Sequence, residues 1–263
     1  MIRSPLGLRL SLRPGQSPKD EIRMAAGLGA KGIVVDASGD LAPDRLSDTG
    51  RRELRHLLRS TELSLIALNL PTRRPFDSFD GLDDRLARAE RAMSLSYELG
   101  SRLVLARVGP IPAEDDPKRE PFVHALRELG RRAEHRGVRL TVETGTDTGE
   151  AVRSMLETLG SPGLAAGIDP AALLKFGFDP ITATRVLGPW VVHAYANDAT
   201  GAAGRTLTAN PRGFGFPAGA LDWEEYLGAL EEIEYRGFLT IFPEPGTDPK
   251  TTFKAMADRL AKF

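Results

Sequence analysis

The chain has 263 residues, 41% hydrophobic and 27% charged, which suits one large globular α/β domain spanning residues 1–263. A net charge of −1 leaves no basic excess for nucleic acid. The absence of cysteine excludes disulfides, thiolate nucleophiles and cysteine-type zinc sites.

Short β-like runs alternate with helix-like stretches along the whole chain. The runs are LGLRLSL (6–12), GIVVDA (32–37), LSLIALN (63–69), RLVLARV (102–108), VRLTVET (138–144), LAAGID (164–169), WVVHAYA (190–196) and FLTIFP (238–243). GLGAKG (27–32) matches a dinucleotide-binding pattern, but it closes a helix and opens a strand, the reverse of what that motif requires. Between runs three and four, Leu86, Ala89, Met93 and Tyr97 are expected to share one helix face. Between runs four and five, Val123, Leu126 and Leu129 line up in the same way. Arg51–Arg52 and Arg131–Arg132 fall in helical patterns with acidic neighbours and read as solvated faces.

Glycine stands between helix and strand at Gly29, Gly100, Gly137, Gly160, Gly188 and Gly237, the residue favoured just past a helix end. Strand–helix alternation implies a parallel sheet, and eight such units predict a closed (β/α)8 barrel over a doubly wound open sheet. The stretch from Asp198 to Gly219 reads as a long loop after strand seven. MIRSPLGLRLSLRPG lacks the apolar core of a signal peptide, and no apolar run reaches the ~18 residues of a membrane span, so a cytoplasmic location without membrane partners is expected.

In such a barrel the strand C-termini meet at one mouth, where chemistry resides. Glu143 shares a strand face with Thr141, and if that face is the interior its carboxylate points into the mouth as a site residue or a structural ion pair. Asp169 precedes a proline and is either a site residue or a helix cap. His193, Tyr195 and Asn197 share one face of strand seven, and Glu244 follows strand eight. Arg107, after strand four, and Arg212, in the long loop, are the candidate cations for an anionic substrate group. His56, His124 and His135 lie in helical segments and are read as structural.

TVET, GIDPAALLKFGFDP, VVHAYANDA and RGFGFPAGALDWEEYLGALEEIEYRGFLTI resemble segments of the xylose-isomerase-like TIM barrels, in particular the sugar phosphate isomerase/epimerase group. The resemblance implies one divalent cation (Mn, Mg, Zn or Co) held by Glu, Asp, His and Glu from the last four strands. Glu143 and Asp169 match, but Tyr195 stands where the resemblance implies histidine and Phe242 where it implies glutamate. Ala172 replaces a further histidine often found three residues after the aspartate. His193 and Glu244 keep the correct strand faces, but each is displaced by roughly 6.5 Å, in opposite directions. Ligands at about 2 Å from a metal do not tolerate such offsets without local rearrangement.

Two readings follow. The first is a sugar, sugar-phosphate or polyol isomerase or epimerase, or a related lyase, working by proton transfer next to a carbonyl. In it Glu143 and Glu244 are catalytic, Glu143 and Asp169 hold any metal, and Arg107, His193, Tyr195, Asn197 and Arg212 bind substrate. The second is a metal-free, catalytically degenerate member that binds a sugar-like ligand or a protein partner. A homo-oligomer is compatible with either.

Overall fold

The computed structural model describes residues 4–13, 15–198, 221–244 and 246–263. Eight strands form in chain order: β1 (Leu6–Leu10), β2 (Gly32–Asp36), β3 (Ser64–Leu70), β4 (Leu103–Ala106), β5 (Arg139–Glu143), β6 (Leu164–Ile168), β7 (Val191–Ala196) and β8 (Leu239–Ile241). Each pairs in parallel with the next, and β8 closes onto β1 through Gly7 opposite Thr240. The protein is a single closed (β/α)8 barrel. Among the described residues no helix is long and apolar enough to cross a membrane.

The helices are α1 (Pro18–Gly27), α2 (Asp48–Ser60), α3 (Leu82–Glu98), α4 (Arg119–His135), α5 (Gly149–Leu159), α6 (Pro170–Phe176), α7 (Pro180–Leu187), α8 (Trp223–Glu232) and α9 (Pro249–Leu260). Their starts are written locally. Proline opens α1, α6, α7 and α9, where its missing N–H costs nothing, and Ser or Asp before it caps the first turn. GLGAKG is the exit from α1: Gly29 takes φ 89°, a left-handed turn open to glycine, and β2 begins at Gly32.

Two apolar layers follow from the period-two strands. Outward residues such as Leu8, Leu68, Leu140 and Ile168 pack under the helices. Inward residues Val34, Ala67, Leu105 and Tyr195 fill the barrel itself with Ile66, Phe238 and Phe242. The bottom of this interior closes tightly. A Cβ on Gly7 would lie 2.3 Å from Ile66 Cδ1, and one on Gly32 would lie 2.9 Å from Phe238.

Two sequence expectations need correction. Tyr97 does not join Leu86, Ala89 and Met93 in the core: it is 49% exposed, with the Arg102 guanidinium 4.0 Å from its ring centre. An aromatic at the last turn of α3 is wide enough to leave the buried stripe and gains a cation over its face. On α4 the buried set is Phe122, Ala125, Leu126, Leu129 and Ala133, with Val123 only half-buried. Residues 199–220, which include Arg212 and all but the first residue of the loop expected from Asp198 to Gly219, lie outside the described residues.

Candidate active site

The strand C-termini open into a cavity of about 1150 Å³. Its floor and walls include Arg9, Asn69, Arg107, Glu143, Asp169, Asn197 and Phe242, and residues of α9 continue it on one side. At its centre is a charged network that crosses the barrel. Tyr195 donates its hydroxyl to Glu143 Oε1 at 2.6 Å, and Arg9 Nη1 donates to the same Oε1 at 3.3 Å and to the Tyr195 oxygen at 2.6 Å. Arg9 Nη2 reaches Asp36 Oδ1 at 3.5 Å, and Asn69 donates to that oxygen at 2.6 Å. Over this layer lies Arg107, with Nε 3.5 Å from Glu143 Oε2 and Nη2 3.2 Å from Asp169 Oδ2.

The centre of the network is buried. The Glu143 side chain is 1% exposed, the Arg9 side chain 9%, and Tyr195 is fully buried. Burial alone disfavours the Arg9 charge, but Tyr195, Glu143 and Asp36 together outweigh it and hold its pKa above the ordinary arginine value. Burial, and then the Glu143 charge, pushes the Tyr195 phenol well up, so it remains a proton donor. Burial and Glu143 also raise Asp169, against the hydrogen bonds from Asn197 and the Ala172 N–H and the nearby Arg107.

Asp169 caps a helix and also lines the cavity. Oδ1 caps α6 by accepting from the Ala172 N–H at 3.1 Å, while Oδ2 meets Arg107 on the cavity side. Asn197 donates to Asp169 Oδ1 at 2.9 Å and accepts from the Ala171 N–H at 3.1 Å, so it ties β7 to the start of α6. Glu244 is exposed on the cavity wall, beyond the end of β8. His193 lies one interior step below Tyr195, fully buried, with Nε2 3.0 Å from Thr240 Oγ1. Like Tyr195, it is buried and does not line the cavity, so neither contacts a ligand there, contrary to the sequence expectation. Burial, reinforced by the Arg9 charge, lowers the His193 pKa to about 3, so the imidazole is neutral. Arg9, Asp36 and Asn69 were not singled out from the sequence. The signal for Arg9 was present: it is an arginine between Leu8 and Leu10 in a strand buried on both faces.

The family model for xylose isomerase-like TIM barrels matches residues 22–263. The chain belongs to that family. Solved structures of the same fold include a xylose isomerase domain protein from Planctomyces limnophilus, with TM-score 0.81 and 21% identity over 98% of this chain and 95% of that one. A D-psicose 3-epimerase superimposes with TM-score 0.77 and 17% identity, covering 98% and 97% of the two chains. A 3-keto-D-glucoside 4-epimerase from E. coli gives 0.74 and 14%, covering 99% and 100%. At these identities the likeness establishes the fold. No protein with a curated description matches the sequence.

The donor set does not fit the divalent cation that the resemblance implies for a xylose isomerase-like barrel. Every carboxylate oxygen of Glu143 and Asp169 already faces a donor or a guanidinium. Tyr195 directs its proton at Glu143, and Phe242 offers a ring where the resemblance implies a carboxylate. Among the described residues no three His, Cys, Asp or Glu side chains converge in a metal-binding group.

Proposed function

We propose that this barrel is a sugar or polyol isomerase or epimerase that moves a proton next to a carbonyl. The observation that carries the reading is Glu143 on the cavity lining with Tyr195 buried beneath it, the phenol donating to Oε1 at 2.6 Å: a carboxylate at the mouth where this fold keeps its chemistry, held by a buried proton donor. Membership of the xylose isomerase-like family supports it. Glu143 would accept the proton from the carbon beside the carbonyl and return it to the neighbouring carbon in an isomerisation. In an epimerisation the enediolate would be protonated from its opposite face by a second group, for which Glu244 on the cavity wall is the candidate. Arg107, 61% exposed, would swing from the carboxylates to the substrate oxygen, uncovering Glu143 and balancing the enediolate charge. Asn197, Asp169 and Glu244 would contact hydroxyls of the sugar-like ligand.

The competing reading is ligand binding without turnover. It draws on the near-complete burial of the Glu143 side chain under Arg107. One experiment separates the two. Ketohexoses, 3-keto-glycosides and their phosphates are incubated with the protein in D2O, and deuterium entry beside the carbonyl is followed by NMR. Wild type is expected to catalyse exchange, and Glu143→Gln to lose it by roughly 10²–10⁴-fold while remaining folded. Exchange that survives Glu143→Gln removes Glu143 from the mechanism. Binding of a compound without exchange in wild type favours the second reading.

A further inference from the structure

Tyr195 and Phe242, which stand where the resemblance implies histidine and glutamate, both touch Arg9. The Tyr195 hydroxyl accepts from Arg9 Nη1 at 2.6 Å, and the Phe242 ring lies with its centre 4.2 Å from the guanidinium carbon. Nη1 also meets Glu143 at 3.3 Å, and Nη2 meets Asp36 at 3.5 Å. Substituting tyrosine and phenylalanine for two metal ligands therefore does more than delete a site. A phenol oxygen and an aromatic face are good partners for a planar cation, by hydrogen bond and by cation–π attraction.

The space is shared as well as the charge. Arg9 leaves β1 one register step above Gly7, on the interior face, and reaches across the barrel to β5 and β7. A divalent ion next to Glu143 would have to displace the guanidinium or lie against it, a buried cation beside a buried cation. Arg9 and Arg107 together face Asp36, Glu143 and Asp169, so two positive groups already answer three carboxylates.

We infer that the Arg9 guanidinium is the built-in cation of this mouth, standing in the place of a divalent metal and making the site complete without one. This accounts for an arginine inside an otherwise apolar strand and for both aromatic substitutions. It does not depend on turnover: metal content and melting report on it even if no substrate is processed, so it can fail while the isomerase reading stands, and the reverse.

The test starts with wild type, freed of metal by chelator and desalted, then titrated with Mn²⁺, Co²⁺, Mg²⁺ and Zn²⁺. Bound metal per chain and the melting midpoint are read together. No saturable uptake and no shift in midpoint are expected. An ion at a hundred times its dissociation constant would instead raise the midpoint by about 5–10 °C. The variants test the charge role. Arg9→Met leaves buried carboxylates unanswered and should melt about 6–20 °C below wild type. Adding Glu143→Gln to Arg9→Met removes the orphaned charge and should recover part of that loss. Stoichiometric metal uptake by wild type that disappears in Glu143→Gln would overturn the inference. So would an Arg9→Met protein that melts with wild type, or a double variant that melts below Arg9→Met by the full Glu143→Gln loss. The wild-type titration decides the metal claim even if Arg9→Met fails to fold.

Discussion

Replacing Tyr195 by phenylalanine removes one oxygen from the centre of the network and leaves the ring in place. The ring keeps its contacts with His193, at 4.5 Å between centres, and with Phe242, at 5.5 Å, so packing is nearly unchanged. Two short hydrogen bonds go: the one donated to Glu143 and the one accepted from Arg9, each 2.6 Å and each to a charged group. Bonds of that kind contribute about 1.5–3 kcal/mol apiece. The direct Arg9–Glu143 contact at 3.3 Å remains and limits the loss, so we expect ~2–4 kcal/mol in total. The assay is urea unfolding at pH 7, where the midpoint should fall with the slope unchanged. Tyr226→Phe is the matched control. Tyr226 is equally buried, but its hydroxyl donates at 3.0 Å to the uncharged Tyr195 carbonyl, and its loss should cost about 1 kcal/mol. If Tyr195→Phe costs no more than Tyr226→Phe, the charged network is not what stabilises the mouth, and the assignment of Arg9 as its cation loses its energetic basis.

His193 provides a pH test. Its folded pKa is lowered to about 3 by burial and by Arg9, against about 6.5 for an unfolded histidine, so the unfolded chain takes up the proton first. Its share of stability is complete above pH 6.5 and is lost as pH falls, by ~1.4 kcal/mol per unit down to pH 3. Unfolding free energies from urea titrations at pH 7.5 and 5 should therefore differ by about 2 kcal/mol more in wild type than in His193→Leu, and equal differences would show that the ring does not stay neutral. Arg107→Ala should lower stability by only ~1 kcal/mol, because a side chain 61% exposed makes screened ion pairs. The same change should weaken carboxylate- or phosphate-bearing ligands of the mouth in a competition assay; unchanged binding would take Arg107 out of ligand recognition.

What could be read along the chain was whatever local physics dictates. Short apolar runs located all eight strands to within a few residues, and glycines between helix and strand marked most of the joints. Glu143 and Asp169 stood out because a carboxylate at the end of an apolar strand is expensive to bury without a purpose. The resemblance to the xylose-isomerase-like barrels added that Tyr195 and Phe242 stand where it implies histidine and glutamate. What replaces them was not. Arg9 meets Glu143 across 134 residues and Tyr195 across 186, distances that no window on the sequence spans. Only closure of β8 onto β1 turns the inward face of the first strand toward the fifth and seventh. Depth was decided there too. His193 and Tyr195 share a strand face, yet one interior step places the first against Thr240 and the second against Glu143, just under the mouth. A strand pattern specifies which side a residue faces. Barrel closure and register decide how far from the mouth it lies and which charge it meets.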